Sequence, residues 1–163
     1  MIVIVFGLRG SGKSYFAQQL AQMLHAEYIG SDVVRKELFK TPSYSTEEKK
    51  LVYNEMMKRM MSEAFEKEIV IDTTFSDSKT RQNFTEKAKK FSSVFTIEIA
   101  KEKDLTKQRS LSPQQDNANF EVYKKIKPSH QTYNDEHLVL RSTQNNLTDM
   151  LDETSDYLFQ RDD

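Results

Sequence analysis

Short apolar segments alternate with longer amphipathic segments along the chain. The apolar segments are rich in β-branched residues and have the length of strands buried in a parallel sheet. They lie at Ile2–Phe6, Glu27–Ile29, Ile69–Ile71, Val94–Ile99 and His137–Leu140. Between them we expect helices at Lys13–His25, Asp32–Phe39, Thr46–Lys67, Ser78–Phe91, Lys103–Arg109, Asn119–His130 and Leu147–Phe159. The alternation predicts an α/β fold, a three-layer sandwich around a parallel five-stranded sheet, with the ligand at the carboxyl ends of the strands.

The predicted helix Thr46–Lys67 carries two further patterns. Ser45 and Glu48 have the spacing of a capping box at its amino end. Large apolar side chains also recur along the helix, and we interpret them as core packing rather than as an adaptable substrate pocket. They are Tyr53, Met56, Met57, Met60, Met61 and Phe65.

Length, charge and cysteine content limit the classes of protein that fit. A chain of 163 residues predicts a single domain over 1–163. The apolar run Ile2–Phe6 is shorter than the ~7–15 apolar residues of an export signal, and the chain has no cysteine. We therefore expect a cytoplasmic protein that does not bind membranes. The formal net charge of −1 argues against tight non-specific binding of nucleic acid, although a local basic groove could hold a nucleic-acid end.

The segment GLRGSGKS, here called the phosphate loop (Gly7–Ser14), fits the pattern G-x-x-x-x-G-K-[ST] and stands between a predicted strand and a predicted helix. Lys13 would bridge the β- and γ-phosphates of a nucleotide, and the Ser14 hydroxyl would bind Mg²⁺. The alternative is a glycine turn that matches by chance, and it is disfavoured because three of the chain's four glycines fall here. We predict an ATP and Mg²⁺ site formed by Gly7, Leu8, Arg9, Gly10, Ser11, Gly12, Lys13, Ser14 and Tyr15.

A phosphate loop serves hydrolases and kinases alike, so the rest of the sequence must separate them. The chain lacks the D-x-x-G and N-K-x-D elements of GTPases. The apolar strand that ends in IVIDTTFSD places Thr73 after Asp72, where mechanical ATPases usually carry a second carboxylate that polarises water. These absences favour phosphoryl transfer to an acceptor other than water.

A kinase needs a carboxylate close to the acceptor hydroxyl and cations close to the transferring phosphate. Asp32 and Arg35 follow the second strand at a spacing that puts both on one side of a helix. Asp32 could instead serve only as the N-cap of that helix, and Arg35 could be a solvated surface charge. Asp32 is the first candidate for the carboxylate that orients the acceptor hydroxyl, and Arg35 places a cation on the same helical face.

With these residues identified, the chain resembles the small P-loop kinases, a group that includes polynucleotide 5′-kinases and zeta-toxin-like kinases. The resemblance covers residues 1 to about 130, and the phosphate loop is its most specific part. The other matching segments are SDVVRKELF, VIDTTFSDSKTRQNF and an arginine-containing segment after the fourth strand. The resemblance implies the P-loop nucleoside-triphosphate hydrolase fold in its nucleotide-kinase-like form.

The resemblance also implies roles for particular residues. In that group the aspartate matching Asp32 is the general base, the arginine matching Arg35 contacts the acceptor, and the aspartate matching Asp72 supports the acceptor site. An arginine of the lid closes on the nucleotide phosphates, and Arg109 is the best match, with the lid at about 109–119. The lid departs from the group because it has no Lys or Arg after Arg109.

Other polar residues admit more than one interpretation. Asp72 could merely end a strand and cap the next turn, and Arg81 could face either the acceptor or bulk water. The basic segment Lys124–His130 could contact a phosphorylated or polynucleotide acceptor, but a solvated helix surface is the better interpretation. We predict no zinc site, because metal-ligand spacing is absent among His25, His130 and His137.

The sequence therefore favours an ATP-dependent kinase that transfers the γ-phosphate to a hydroxyl of a small-molecule or nucleotide-type acceptor. Its catalytic residues would be Lys13, Asp32, Arg35 and Arg109, with Asp72 and Arg81 as candidates for the acceptor site. One alternative is a polynucleotide 5′-hydroxyl kinase. Another is an ATP-binding regulatory module with little transfer activity. Neither the acceptor nor the oligomeric state follows from the sequence.

Overall fold

A computed structural model describes residues 1–75, 77–101, 137–143 and 145–159. The strands are β1 (Ile2–Phe6), β2 (Glu27–Gly30), β3 (Ile69–Thr73), β4 (Val94–Lys101) and β5 (Leu138–Ser142). The helices are α1 (Lys13–Leu24), α2 (Ser31–Leu38), α3 (Thr46–Glu63), α4 (Ser78–Lys89) and α5 (Leu147–Phe159). Within these ranges no helix is long and apolar enough to cross a membrane.

The five strands form one parallel sheet in the order β2-β3-β1-β4-β5. β1 lies in the centre, because it pairs with β3 on one side and with β4 on the other. Loops that follow the carboxyl ends of β1, β2 and β3 therefore meet at one edge of the sheet. The predicted α/β fold with a parallel five-stranded sheet is confirmed.

Helices cover both faces of this sheet. Side chains of α2, α3 and α4 pack with Ile2, Ile4 and Phe6 on one face, and side chains of α1 and α5 pack with Val3 and Val5 on the other. Each of these β1 residues is fully buried. Burial on both faces explains why β1 is a continuous apolar run rather than an alternating one.

Element boundaries differ slightly from the sequence-based prediction. β3 and β4 run two residues further, to Thr73 and Lys101, and α3 ends at Glu63 instead of Lys67. Past Glu63 the chain forms a short turn, in which the amides of Glu66 and Lys67 both donate to the Glu63 carbonyl. The predicted helices at 103–109 and 119–130 lie outside the described residues.

The apolar residues of α3 are largely core residues, as the sequence indicated. Met56 and Met60 are fully buried in the cluster beneath β1, with Tyr53 and Met57 packed against it. Met61 and Phe65 depart from the prediction because they are 43% and 77% exposed.

Candidate active site

The phosphate loop joins the carboxyl end of β1 to the amino end of α1. Gly10 and Gly12 have φ angles of 77° and 87°, in the left-handed region that side chains disfavour, and Ser11 N–H donates to the Leu8 carbonyl at 3.2 Å. Among the described residues no side chain caps the amino end of α1. The amides of its first turn are therefore available to an anion, which the helix dipole also favours.

Two polar side chains of this loop are buried. Lys13 is 7% exposed and Ser11 is 5% exposed. In the described ranges Lys13 has no carboxylate within ion-pair distance, so its charge is available to a phosphate. By contrast the Tyr15 side chain is 61% exposed.

Asp72 lies in β3 beside β1, paired in register with Val5, and is 3% exposed. The Tyr28 hydroxyl donates to Asp72 Oδ2 at 2.5 Å. Asp72 Oδ1 is buried and has no hydrogen-bond partner among the described residues. An unsatisfied buried carboxylate oxygen suits a metal-bound water. Ser14 and Asp72 are thus the residues that fit a Mg²⁺ ion held beside the loop.

Asp32 and Arg35 line a cavity of about 320 Å³, here called the Asp32 cavity, together with Arg9, Lys36, Pro42 and Tyr44. Arg35 Nη1 lies 3.0 Å from Asp32 Oδ1. The surface-charge alternative for Arg35 is wrong, because the residue is 7% exposed. The N-cap alternative for Asp32 is also wrong, since Gly30 is the N-cap of α2 and Asp32 lies in the first turn.

Glu48 of α3 holds Arg35 from the other side. Its Oε1 lies 3.1 Å from Arg35 Nε, in an ion pair without hydrogen-bond alignment. The Ser43 amide and hydroxyl each donate to Glu48 Oε2 at 2.7 Å. Burial acts to raise the pKa of Glu48, but these hydrogen bonds and the Arg35 charge outweigh it and lower that pKa. Glu48 is thus a carboxylate held ionised against Arg35.

This arrangement corrects the predicted capping box. Ser45 Oγ does accept from the Glu48 amide at 3.1 Å, so half of the box is present. The carboxylate of Glu48 contacts Ser43 and Arg35 and does not accept from the Ser45 amide. The Ser45 amide donates to Ser43 Oγ instead, at 3.4 Å. The tertiary ion pair takes precedence over the local cap.

The ring of Tyr44 lies against two guanidinium groups. The Cζ atoms of Arg9 and Arg35 are 4.6 Å and 4.7 Å from its centroid. Arg9 belongs to the phosphate loop and Arg35 to α2, so the shared ring joins the loop to the Asp32 cavity. Tyr44 has a φ of 57°, an uncommon conformation for a residue with a side chain.

The remaining predicted site residues lie elsewhere. Arg81 is 1% exposed, and its guanidinium lies 5.4 Å from the ring centroid of Phe6. The bulk-water alternative for Arg81 is therefore wrong, and Arg81 does not line the Asp32 cavity. Arg109, the lid at 109–119 and the basic segment 124–130 lie outside the described residues.

Three residues of the site were missed as functional residues by sequence reasoning. Glu48 was assigned only a capping role, and Tyr44 carries no local signal at all. For Tyr28 the sequence offered one indication. Gly30, the one glycine outside the phosphate loop, lies two residues after Tyr28 in a strand. Each of the three acts through contacts between segments that are distant in the chain.

Comparison with known proteins identifies the family of the chain. Residues 2–131 match the family model described as AAA domain. The chain belongs to this family. No curated protein matches the chain in sequence.

Several solved structures are similar in fold to this AAA domain protein. The APS kinase of Mycobacterium tuberculosis, solved with AMPPNP and APS, has a TM-score of 0.72 and 17% identity over 96% of each chain. A gluconokinase of Sinorhizobium meliloti has a TM-score of 0.65 and 14% identity, over 98% of this chain and 95% of that one. Shikimate kinase of Acinetobacter baumannii has a TM-score of 0.61 and 12% identity, over 98% and 93%. The fold is that of P-loop kinases.

Proposed function

We propose that the protein is an ATP-dependent kinase that transfers the γ-phosphate of ATP to a hydroxyl group of a small-molecule acceptor. The observation that carries this proposal is Arg9, which belongs to the phosphate loop and also lines the Asp32 cavity. A nucleotide in the loop would have its terminal phosphate beside that cavity. A carboxylate in such a cavity is what transfer to a hydroxyl requires.

On the donor side, the loop amides and Lys13 would bind the phosphates of ATP. Ser14 and Asp72 would hold Mg²⁺, which neutralises charge on the β- and γ-phosphates when bound. Asp72 was predicted as a candidate for the acceptor site, and we now assign it to the metal site. It contacts Tyr28 and does not line the Asp32 cavity.

On the acceptor side, Asp32 would take the proton of the acceptor hydroxyl. Arg35 contacts Oδ1 of Asp32, which leaves Oδ2 to accept that proton. The acceptor oxygen forms a bond to the γ-phosphorus, the bond between that phosphorus and the bridging oxygen breaks, and ADP leaves. Arg109 of the lid remains our candidate for neutralising charge on the phosphates.

The charges around the Asp32 cavity favour an acceptor that carries an anionic group. Three cations line the cavity, Arg9, Arg35 and Lys36, against one carboxylate. Glu48 and Asp32 both pair with Arg35, whereas no carboxylate of the described residues pairs with Arg9 or Lys36. These two cations could each bind a carboxylate, phosphate or sulfate group. APS kinase, gluconokinase and shikimate kinase illustrate small-molecule kinases with this fold.

A polynucleotide 5′-kinase is the second candidate, in keeping with the resemblance to polynucleotide and zeta-toxin-like kinases. The observation that favours it is the Tyr44 ring, which is 45% exposed beside the cavity and flanked by arginines. The exposed part of such a ring could contact a terminal base, and the arginines beside it could bind a phosphate.

An acceptor screen tests these proposals. ADP release would be followed with ATP, Mg²⁺ and matched acceptors: polyols, their carboxylate or phosphate derivatives, nucleosides and 5′-hydroxyl oligonucleotides. We expect an anionic small molecule to stimulate ADP release. This stimulation should be lost in Lys13→Ala and kept in the surface control Asp152→Asn. Stimulation by oligonucleotides alone would favour the second candidate. Tight ATP binding without stimulation by any acceptor would contradict the kinase proposal and favour a regulatory module.

A further inference from the structure

Tyr28 reaches from the edge strand β2 to the metal side of the site. In the pairing of β2 with β3, Tyr28 lies opposite Val70 and Gly30 lies opposite Asp72. Tyr28, Gly30 and Asp72 therefore share one face of the sheet, the face that α1 covers. The phenol extends along the strand past Gly30, and its hydroxyl meets Asp72 Oδ2 at 2.5 Å.

Gly30 is a glycine because of this ring. Its φ of −109° and ψ of 136° are extended values that any residue adopts. A Cβ atom at this position would lie 2.4 Å from the Tyr28 hydroxyl oxygen and 2.7 Å from its Cζ. The requirement for glycine is therefore steric, and it keeps a path open for the phenol to Asp72.

The same hydroxyl is close to the first two turns of α1. The side chains of Gln18 and Ser14 are near enough to influence the pKa of Tyr28, which burial and the hydrogen bond to Asp72 raise. The Tyr28 hydroxyl donates its proton to Asp72 Oδ2. The Tyr28 hydroxyl lies between Ser14 of the phosphate loop and Asp72 of β3.

A hydroxyl has one proton to donate, and this limits how the three groups can be arranged. If the Ser14 oxygen binds a metal ion, its proton must go to another acceptor, and the Tyr28 oxygen is available. The Tyr28 proton then goes to Asp72 Oδ2, and Oδ1, which has no partner among the described residues, is left for a metal-bound water. With a metal ion bound, each of the three groups would then have one role.

The geometry points to Tyr28 as a positioning residue for the magnesium nucleotide, with Gly30 making room for it. This inference rests on the proposed function, because it takes the phosphate loop to bind ATP with Mg²⁺. Tyr28 orients the Asp72 carboxylate through its hydrogen bond, and it does not line the Asp32 cavity. Groups that orient metal ligands typically change metal affinity by about 10-fold to 100-fold when removed.

Calorimetric titration of ATP into Tyr28→Phe and wild type, with Mg²⁺ and again with EDTA, tests the inference without an acceptor. We expect Tyr28→Phe to weaken binding about 10-fold or more in Mg²⁺ and to leave binding in EDTA unchanged. Tyr157→Phe, a tyrosine packed on the same face of the sheet through α5, is the matched control and should behave as wild type. Thermal unfolding without ligand shows whether each variant is folded.

Gly30→Ala supplies a second, independent variant. It should reproduce the magnesium-specific loss, and it should add little in a Tyr28→Ala background, where the ring that it displaces is gone. Equal effects of Tyr28→Phe with Mg²⁺ and with EDTA, or no effect with either, would overturn the positioning role while leaving the kinase proposal intact. Failure of the wild type to bind ATP in either condition would overturn both.

Discussion

The carboxylate of Glu48 lies 3.1 Å from Arg35 Nε and fixes that guanidinium at the wall of the Asp32 cavity. The contact links the first turn of α3 to α2, and both side chains are buried. Arg35 then presents Nη1 to Asp32 at 3.0 Å. Glu48 therefore acts on the acceptor side through Arg35, without lining the cavity itself.

Removal of the Glu48 charge should impair use of the acceptor and spare ATP. In Glu48→Gln, Arg35 loses the buried one of its two ionic partners and can shift toward Asp32. Small displacements of a substrate-holding group cost roughly a hundredfold in rate. We expect kcat/KM for the acceptor to fall by about that factor while ATP affinity stays the same. The neighbouring exposed Glu47→Gln is the control. A parallel loss of ATP affinity would show that Glu48 shapes the phosphate loop instead.

Glu48 should also make stability depend on pH in the acid range. Its pKa in the folded protein is lower than the ordinary value of 4.5, so the unfolded state binds the proton more readily. The contribution to stability is therefore fully present above that value and is lost as pH falls through the lower pKa of the folded protein. Urea unfolding of wild type and Glu48→Gln should show a difference in free energy that shrinks below about pH 4.5. A difference that stays constant on acidification would contradict this assignment.

Tyr44 should contribute to the acceptor side through its two arginine contacts. Tyr44→Leu removes the ring between Arg9 and Arg35, and exposed cation–π contacts are worth about 0.5–1 kcal/mol each. We expect the KM for the acceptor to rise by roughly fivefold or more, measured by ADP release at saturating ATP. Phe65→Leu, at an exposed aromatic residue beyond α3, is the control. An unchanged KM would remove Tyr44 from the acceptor site.

Core packing of α3 can be tested with two methionines of the same helix. Met56 is fully buried and Met61 is 43% exposed. Met56→Ala should lower the free energy of unfolding by about 2–5 kcal/mol, because it leaves a cavity beneath the sheet. Met61→Ala should change it by less than about 1 kcal/mol. Equal costs in urea unfolding would contradict the packing described for α3.

The fold was predictable because its signals are local. Continuous apolar runs indicated strands buried on both faces of a sheet. The glycines before Lys13 identified the phosphate loop and its position between a strand and a helix. The acceptor side was only partly predictable. Asp32 and Arg35 are three residues apart, so helical spacing revealed their proximity.

Contacts between distant segments could not be predicted from spacing. Tyr28 and Asp72 are 44 residues apart, and they meet because β2 and β3 pair with Gly30 opposite Asp72. Glu48 matched a local capping pattern, but its carboxylate finds a buried arginine on another helix. In both cases tertiary packing determined a partner that the sequence analysis had not identified.

Lys13 and Asp32 have separate roles in the proposed mechanism: Lys13 binds the nucleotide, and Asp32 acts on the acceptor. Lys13 lies buried in the phosphate loop, whereas Asp32 lines the neighbouring cavity, so only Lys13 should contact the nucleotide phosphates strongly. The most direct test measures ATP affinity and acceptor-dependent ADP release in Lys13→Ala and Asp32→Ala. We predict that both variants lose ADP release and that Asp32→Ala keeps most of its ATP affinity. Equal loss of ATP binding in the two variants would contradict the assignment of Asp32 to the acceptor.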